Sequence, residues 1–223
     1  MRQLFGYIFD WGESREGEFS FLEALQAAKL REIRAYDGPS ETVSRRWVVI
    51  YFISRRPLLG EEPGALDAIH EFRYRLYVRV NTVTGSVILA ASRYAITDAA
   101  IEVINRGVTP DLRRRVININ EVVQHLFRRD VQQYAVTYLM ADVPGYRPLV
   151  NTIAIHGEDI GTSNFLLEER QAFTARQLGV RAIRSRIECG RFGNSGSIQF
   201  NLDNSEALEK FLAYTYKNKF YIA

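Results

Sequence analysis

Nine arginines and one tyrosine carry the clearest chemical pattern in this chain. Arg73, Arg75 and Arg79 recur with strand-like alternation, and Tyr77 fills the gap between them. On a β-strand, side chains two residues apart leave the same face about 6.6–6.8 Å apart. Successive phosphates along a nucleic-acid strand have a similar spacing, so such a row could follow a phosphate backbone while the tyrosine stacks on a base or packs on a sugar. Arg113, Arg114 and Arg115 could extend that surface, Arg184 and Arg186 could form a second row, and Arg191 could reach it from a glycine-rich loop. Arginine's planar fork suits phosphate better than lysine's point charge does, and only four of the 29 basic residues are lysine. The competing reading is ordinary solvent coverage of a sheet, with acidic side chains on neighbouring strands.

A second group is acidic. Asp142, His156, Glu158 and Asp159 fall near the ends of apolar segments. Such groups can bind a divalent cation or do general acid/base work if they converge. There is no HExxH and no second histidine nearby, and a polar turn explains the same letters. The segment Gly190–Gly196 is rich in glycine but has neither GxxxxGK[ST] nor GxGxxG, so it reads as a hairpin turn. His70 and His125 lie in or beside expected helices and read as packing or surface residues. Cys189 is the only cysteine, which rules out an intrachain disulfide, and no histidine lies near it in sequence to act as a base. No catalytic residue, metal site or cofactor is assigned.

The formal charge of +3 hides an uneven distribution. Residues 1–44 carry five basic and eight acidic side chains, residues 45–129 carry fourteen arginines against eight acids, and residues 130–223 carry ten of each. The positive excess therefore lies in the middle. With 47% hydrophobic and 25% charged residues, 223 residues can build a real core. No segment approaches the ~20 apolar residues that cross a bilayer, and the first ten residues do not read as a signal peptide. The expectation is a cytoplasmic protein with no membrane partner.

These side chains need elements to hold them. Leu4–Asp10 reads as a strand, and Ser20 with Glu23 has capping-box spacing for a helix that carries Leu22, Leu25 and Ile33 toward Asp37. Arg46–Ser54 reads as a buried strand, Pro57–Gly64 as a loop, and Leu66–Glu71 as a short helix. Phe72–Val80 is the plainest strand, paired through Asn81–Ser86 with Val87–Ala91. Thr97 is placed to cap a helix ending near Gly107, and a helix follows from Asn120. Further on, Tyr134–Ala141 and Thr152–Ile155 precede a helix over Ser163–Leu178, then Ala182–Ile187 and Ser197–Leu202 precede a helix over Ser205–Tyr216.

The fold expectation is α+β, with mixed or mainly antiparallel sheet, packed helices and a C-terminal ββαββα order. A division near Arg128-Arg129-Asp130 separates residues 1–130, with the basic hairpin, from residues 131–223. The functional expectation is a non-enzymatic protein that binds DNA or RNA mainly through phosphate contacts. Two alternatives stand beside it. One is an interaction subunit with a protein partner or a homo-oligomer, since tyrosine and arginine are enriched at interface hot spots. The other is a metal-dependent hydrolase or nuclease built on the Asp142, His156, Glu158 and Asp159 group.

Overall fold

The computed structural model describes residues 2–11, 20–35, 47–58, 71–81, 84–108, 112–127, 133–147, 150–162 and 173–222. The chain divides into two compact units, residues 4–114 and residues 1–3 together with 115–223.

The N-terminal unit holds β1 (Gln3–Asp10), α1 (Ser20–Ala27), β2 (Ile33–Ala35), β3 (Val48–Ser54), β4 (Phe72–Asn81), β5 (Ser86–Ala91), α2 (Tyr94–Gly107) and β6 (Arg113–Arg114). Its strands run in the order β2-β3-β4-β5-β1, every neighbour antiparallel, with β6 paired to the end of β1. Alternation explains the core: Ile50, Phe52, Leu76, Val78, Val87 and Leu89 are buried in one cluster with Ile96 and Ile104 of α2. Burying each such side chain contributes about 1.5–3 kcal/mol. The β4–β5 hairpin turns at Gly85, whose φ of +59° is left-handed, and the Asn81 side chain accepts a hydrogen bond from the Thr84 amide at 3.1 Å.

The C-terminal unit holds β7 (Val116–Ile117), α3 (Ile119–Leu126), β8 (Tyr134–Arg147), β9 (Val150–His156), β10 (Thr174–Ala182), β11 (Glu188–Gly193), β12 (Ser197–Asn201), α4 (Ser205–Lys217) and β13 (Tyr221–Ile222). Five strands form an antiparallel sheet in the order β12-β11-β10-β8-β9, and β13 pairs with β7. Helix α3 packs on β8 and β10, and α4 packs on β11 and β12. The face toward the helices is closed by Leu139, Leu178, Phe192 and Ile198 with Leu208 and Phe211, all buried. Phe192 and Phe211 meet at 4.8 Å between ring centroids. Asn118 caps α3 by accepting from the Glu121 amide.

Sheet outweighs helix, and this corrects the α+β expectation. The C-terminal ββαββα order is overturned as well. The expected helix over Ser163–Leu178 gives way over Thr174–Leu178 to strand β10, which pairs with β8 on one side and β11 on the other, while residues 163–172 lie outside the described residues. Two full ladders outweigh the helical reading of a segment whose Leu178 and Val180 are buried. The expected strand Ala182–Ile187 becomes the turn from β10 to β11, with Arg186 at φ +55°.

Two local expectations also change in the N-terminal unit. Helix α1 ends at Ala27 because Lys29 turns left-handed at φ +46°. Ile33 then joins strand β2 opposite Phe52 instead of extending the helix. Thr97 is no cap: it lies fully buried inside α2, and its hydroxyl donates to the Phe5 carbonyl at 3.0 Å. Asp37, most of the helix expected over 66–71, Arg128-Arg129-Asp130, the start of the helix expected at Ser163 and most of the 57–64 loop lie outside the described residues.

Candidate nucleic-acid interface

Strand β4 presents its arginine row unevenly. Arg73 and Arg75 are exposed, whereas Tyr77 and Arg79 are only 2% and 7% exposed. Pairing places Arg73 opposite Ile53 and Arg75 opposite Tyr51 on β3. Hydrogen bonds first to Tyr51 and then to Tyr77 raise the Arg75 pKa further and hold its charge. Arg79 donates to the Val80 carbonyl at 2.9 Å. Two arginines of this row thus face solvent, and the tyrosine between them and Arg79 offers no exposed ring for stacking.

The Arg113–Arg115 run separates in the same way. Arg113 is exposed opposite Asp10 in the β1–β6 pair. Arg114 is engaged on two sides: it meets the Asp98 carboxylate at 3.1 Å and lies 3.8 Å from the centroid of the Tyr7 ring. Burial, and then a hydrogen bond to Asp98, push the Tyr7 hydroxyl up to about 12. Arg115 lies 5.1 Å from the ring centre of Tyr221 and 5.6 Å from that of Tyr216.

The second face of the C-terminal sheet is where aromatic and cationic groups come together. Cross-strand register aligns His156 of β9, Tyr138 of β8, Gly179 of β10, Arg191 of β11 and Gln199 of β12 in one row. His156 and Arg191 are exposed, and Tyr138 is half-buried. The Tyr138 and His156 rings lie 4.7 Å apart, tilted by 56°. The Arg191 guanidinium lies 4.5 Å from the Tyr138 ring centre although a whole strand separates them. Gly179 makes that reach possible: a Cβ there would stand 2.7 Å from the Tyr138 Cβ. A glycine inside a strand commonly marks such a close approach.

Along the same face, Tyr138, Met140 and Asp142 alternate on β8 opposite His156, Ala154 and Thr152. A β-bulge at Arg176 lets its side chain meet the Asp142 carboxylate at 2.6 Å, and Thr152 donates to the same carboxylate at 3.0 Å. Arg176, followed by Thr152, holds the Asp142 carboxyl below the usual carboxylate range. Arg184 and Arg186 are exposed in the turn between β10 and β11, flanked by Ile183 and Ile187, which are 39% and 40% exposed. That turn corrects the second strand row expected for Arg184 and Arg186. It starts four residues beyond Gly179, about 13 Å along the strand.

The acidic group does not converge. His156 stands opposite Tyr138, four residues along β8 from Asp142, a separation of about 13 Å. Asp142 is engaged by Arg176, the Asp159 side chain accepts the Gly161 amide, and the Glu158 carbonyl accepts Arg181. Among the described residues, no three His, Cys, Asp or Glu side chains are grouped to hold a metal ion. Cys189 is fully buried, and burial pushes its thiol up to about 12, the opposite of nucleophile activation. His125 packs against the Phe220 and Tyr214 rings at 5.1 and 6.0 Å, while His70 lies outside the described residues.

Arginine spacing along the chain does not mark Tyr138, Gly179 or the ring of His156. A signal was present: a glycine in an apolar strand next to a tyrosine-bearing one. No protein-family model matches the chain, and comparison with curated proteins returns no match. Among the described residues, no helix is long and apolar enough to cross a membrane.

Proposed function

We propose that this protein binds single-stranded nucleic acid on the second face of the C-terminal sheet, mainly through stacking and phosphate contacts and without a catalytic step. The observation that carries the reading is the row His156, Tyr138 and Arg191 across β9, β8 and β11, with the Tyr138 ring 4.7 Å from the His156 ring and 4.5 Å from the Arg191 guanidinium. Unpaired bases stack on histidine, tyrosine and arginine planes, and an antiparallel sheet backed by helices is a rigid platform for them. Arg191 supplies charge for the backbone, with Arg184 and Arg186 in the turn that starts about 13 Å further along. Arg73 and Arg75 of the N-terminal unit form an exposed pair of their own that could contact phosphates. A cytoplasmic location belongs to this proposal, supported by the single buried cysteine.

Fluorescence anisotropy with a labelled single-stranded oligonucleotide tests it. Affinity falls as salt rises, because bound arginines release counterions. Tyr138→Ala with Arg191→Ala weakens binding at least about tenfold, since each stacked base contributes about 1–3 kcal/mol. Wild-type affinity in that double variant rejects the site.

A second reading is an interaction subunit. It is favoured by the exposed Ile183 and Ile187 beside Arg184 and Arg186, since an apolar patch with arginines suits a protein hot spot. Co-purification after nuclease treatment separates the two: a protein-only complex lost on Ile183→Asp supports the subunit reading.

A further inference from the structure

The N-terminal unit has a separate charged cleft of about 1040 Å³, formed by the segment Leu30–Glu32 that follows α1, strand β2, the end of β3 with the residues after it, and helix α2. That volume is at the upper end of ordinary small-molecule sites, roughly 300–1,000 Å³. We infer that this cleft binds a small organic polyphosphate, a nucleoside di- or triphosphate in chemical class, through Arg31, Arg55 and Arg56.

The charges favour this class. Five arginines and three glutamates line the cleft. Arg34 pairs with Glu71 at 3.7 Å and Arg106 with Glu102 at 3.1 Å, so two acids are already matched. Among the described residues, the Arg31, Arg55 and Arg56 side chains make no ion pair. Three guanidinium forks suit the charge and oxygen geometry of a polyphosphate. A single carboxylate brings one charge only and leaves the others unmatched.

The geometry is held in advance at the arginine pair. The Ser54 hydroxyl accepts the Arg56 amide at 3.1 Å and donates to the Arg56 carbonyl at 2.8 Å, closing a bend around Arg55. Two residues on, the Leu58 amide donates to the Tyr74 hydroxyl at 2.9 Å. The bend is therefore anchored on both sides, which lowers the ordering cost of binding. Phe52, Leu30 and Val103 give the cleft an apolar side for the ligand's organic body.

Isothermal titration calorimetry of the full chain is the test, with ATP, inorganic pyrophosphate and adenosine as probes. ATP binds best, pyrophosphate binds less tightly, and adenosine alone gives no heat. Arg55→Ala with Arg56→Ala weakens ATP at least about tenfold, near 1.4 kcal/mol, and Arg31→Ala weakens it independently. Arg191→Ala leaves ATP affinity unchanged, while the Arg55 and Arg56 variant keeps the affinity of the Tyr138 face for oligonucleotide. Absence of ATP binding up to about 1 mM, where free energies fall near −4 kcal/mol, overturns the inference. So does wild-type ATP affinity in the Arg55 and Arg56 variant.

Discussion

Strand β4 of the N-terminal unit and the β9-β8-β10-β11 face of the C-terminal unit are both antiparallel, yet they offer opposite surfaces. On β4, the regular spacing of Arg73, Arg75, Tyr77 and Arg79 ends in burial, with Tyr77 at 2% and Arg79 at 7% exposure. On the C-terminal face, Tyr138, His156 and Arg191 are scattered over more than fifty residues, yet stand in one row. Spacing along one strand says which side chains share a face. Whether that face is open, and what lies beside it on the next strand, is set by pairing. The lesson is that a cross-strand row gathers at one register position side chains that lie far apart in sequence, because each comes from a different strand.

The largest expected effect comes from closing the space that joins the cross-strand row. Gly179→Val places a side chain against Tyr138, where even a Cβ stands 2.7 Å from the Tyr138 Cβ. Overpacking of this kind costs about 1–3 kcal/mol. Urea unfolding should show that loss, and anisotropy should show weaker oligonucleotide binding by the folded protein. Unchanged unfolding and binding together would mean that Gly179 does not organise the row.

Next comes a contrast within β4. Arg79→Ala removes a buried stem and its hydrogen bond to Val80, so stability falls by about 1–3 kcal/mol. Arg73→Ala with Arg75→Ala changes stability by no more than about 0.5 kcal/mol, as exposed substitutions usually do. Oligonucleotide affinity responds in the reverse order, unaffected by Arg79→Ala and reduced by the exposed pair. If Arg79→Ala leaves stability intact while weakening binding, the division of this strand into a buried and an exposed half is wrong.

The smallest effect concerns pH. Asp142 has its pKa lowered in the folded chain, first by Arg176 and then by Thr152. Its stabilising contribution is therefore full above the unfolded carboxylate pKa of about 3.9 and is lost as pH falls through the lower, folded value. The pair is partly exposed, so the contribution is modest. Comparing wild type with Asp142→Asn by urea unfolding, the gap present at neutral pH narrows in acid. A gap that stays constant down to the most acidic folded condition contradicts this account of the ion pair.

Much of the strand structure was legible because period-two alternation is local. The strands expected over Phe72–Val80 and Val87–Ala91 are found at Phe72–Asn81 and Ser86–Ala91, the first from its alternating apolar side chains and the second from the turn that returns it. Helix α4 was equally plain, expected over Ser205–Tyr216 and found over Ser205–Lys217. Strand β10 was not. Its residues lie between two ladders that belong to distant segments, and that pairing overrode a helical reading. Thr97 shows the same limit on a smaller scale: a good capping residue by type became a buried donor to Phe5, ninety-two positions away.

By itself, the order of residues determined where most strands and three of the helices run, where the arginines fall, and that only one thiol is present. Tertiary structure alone decided that Arg114 spends its charge on Asp98 and Tyr7, that Tyr77 and Arg79 are covered, and that Arg191 reaches Tyr138 across Gly179. The reason is physical: alternation and propensity act between near neighbours, whereas burial, register and charge pairing depend on which distant strands come side by side.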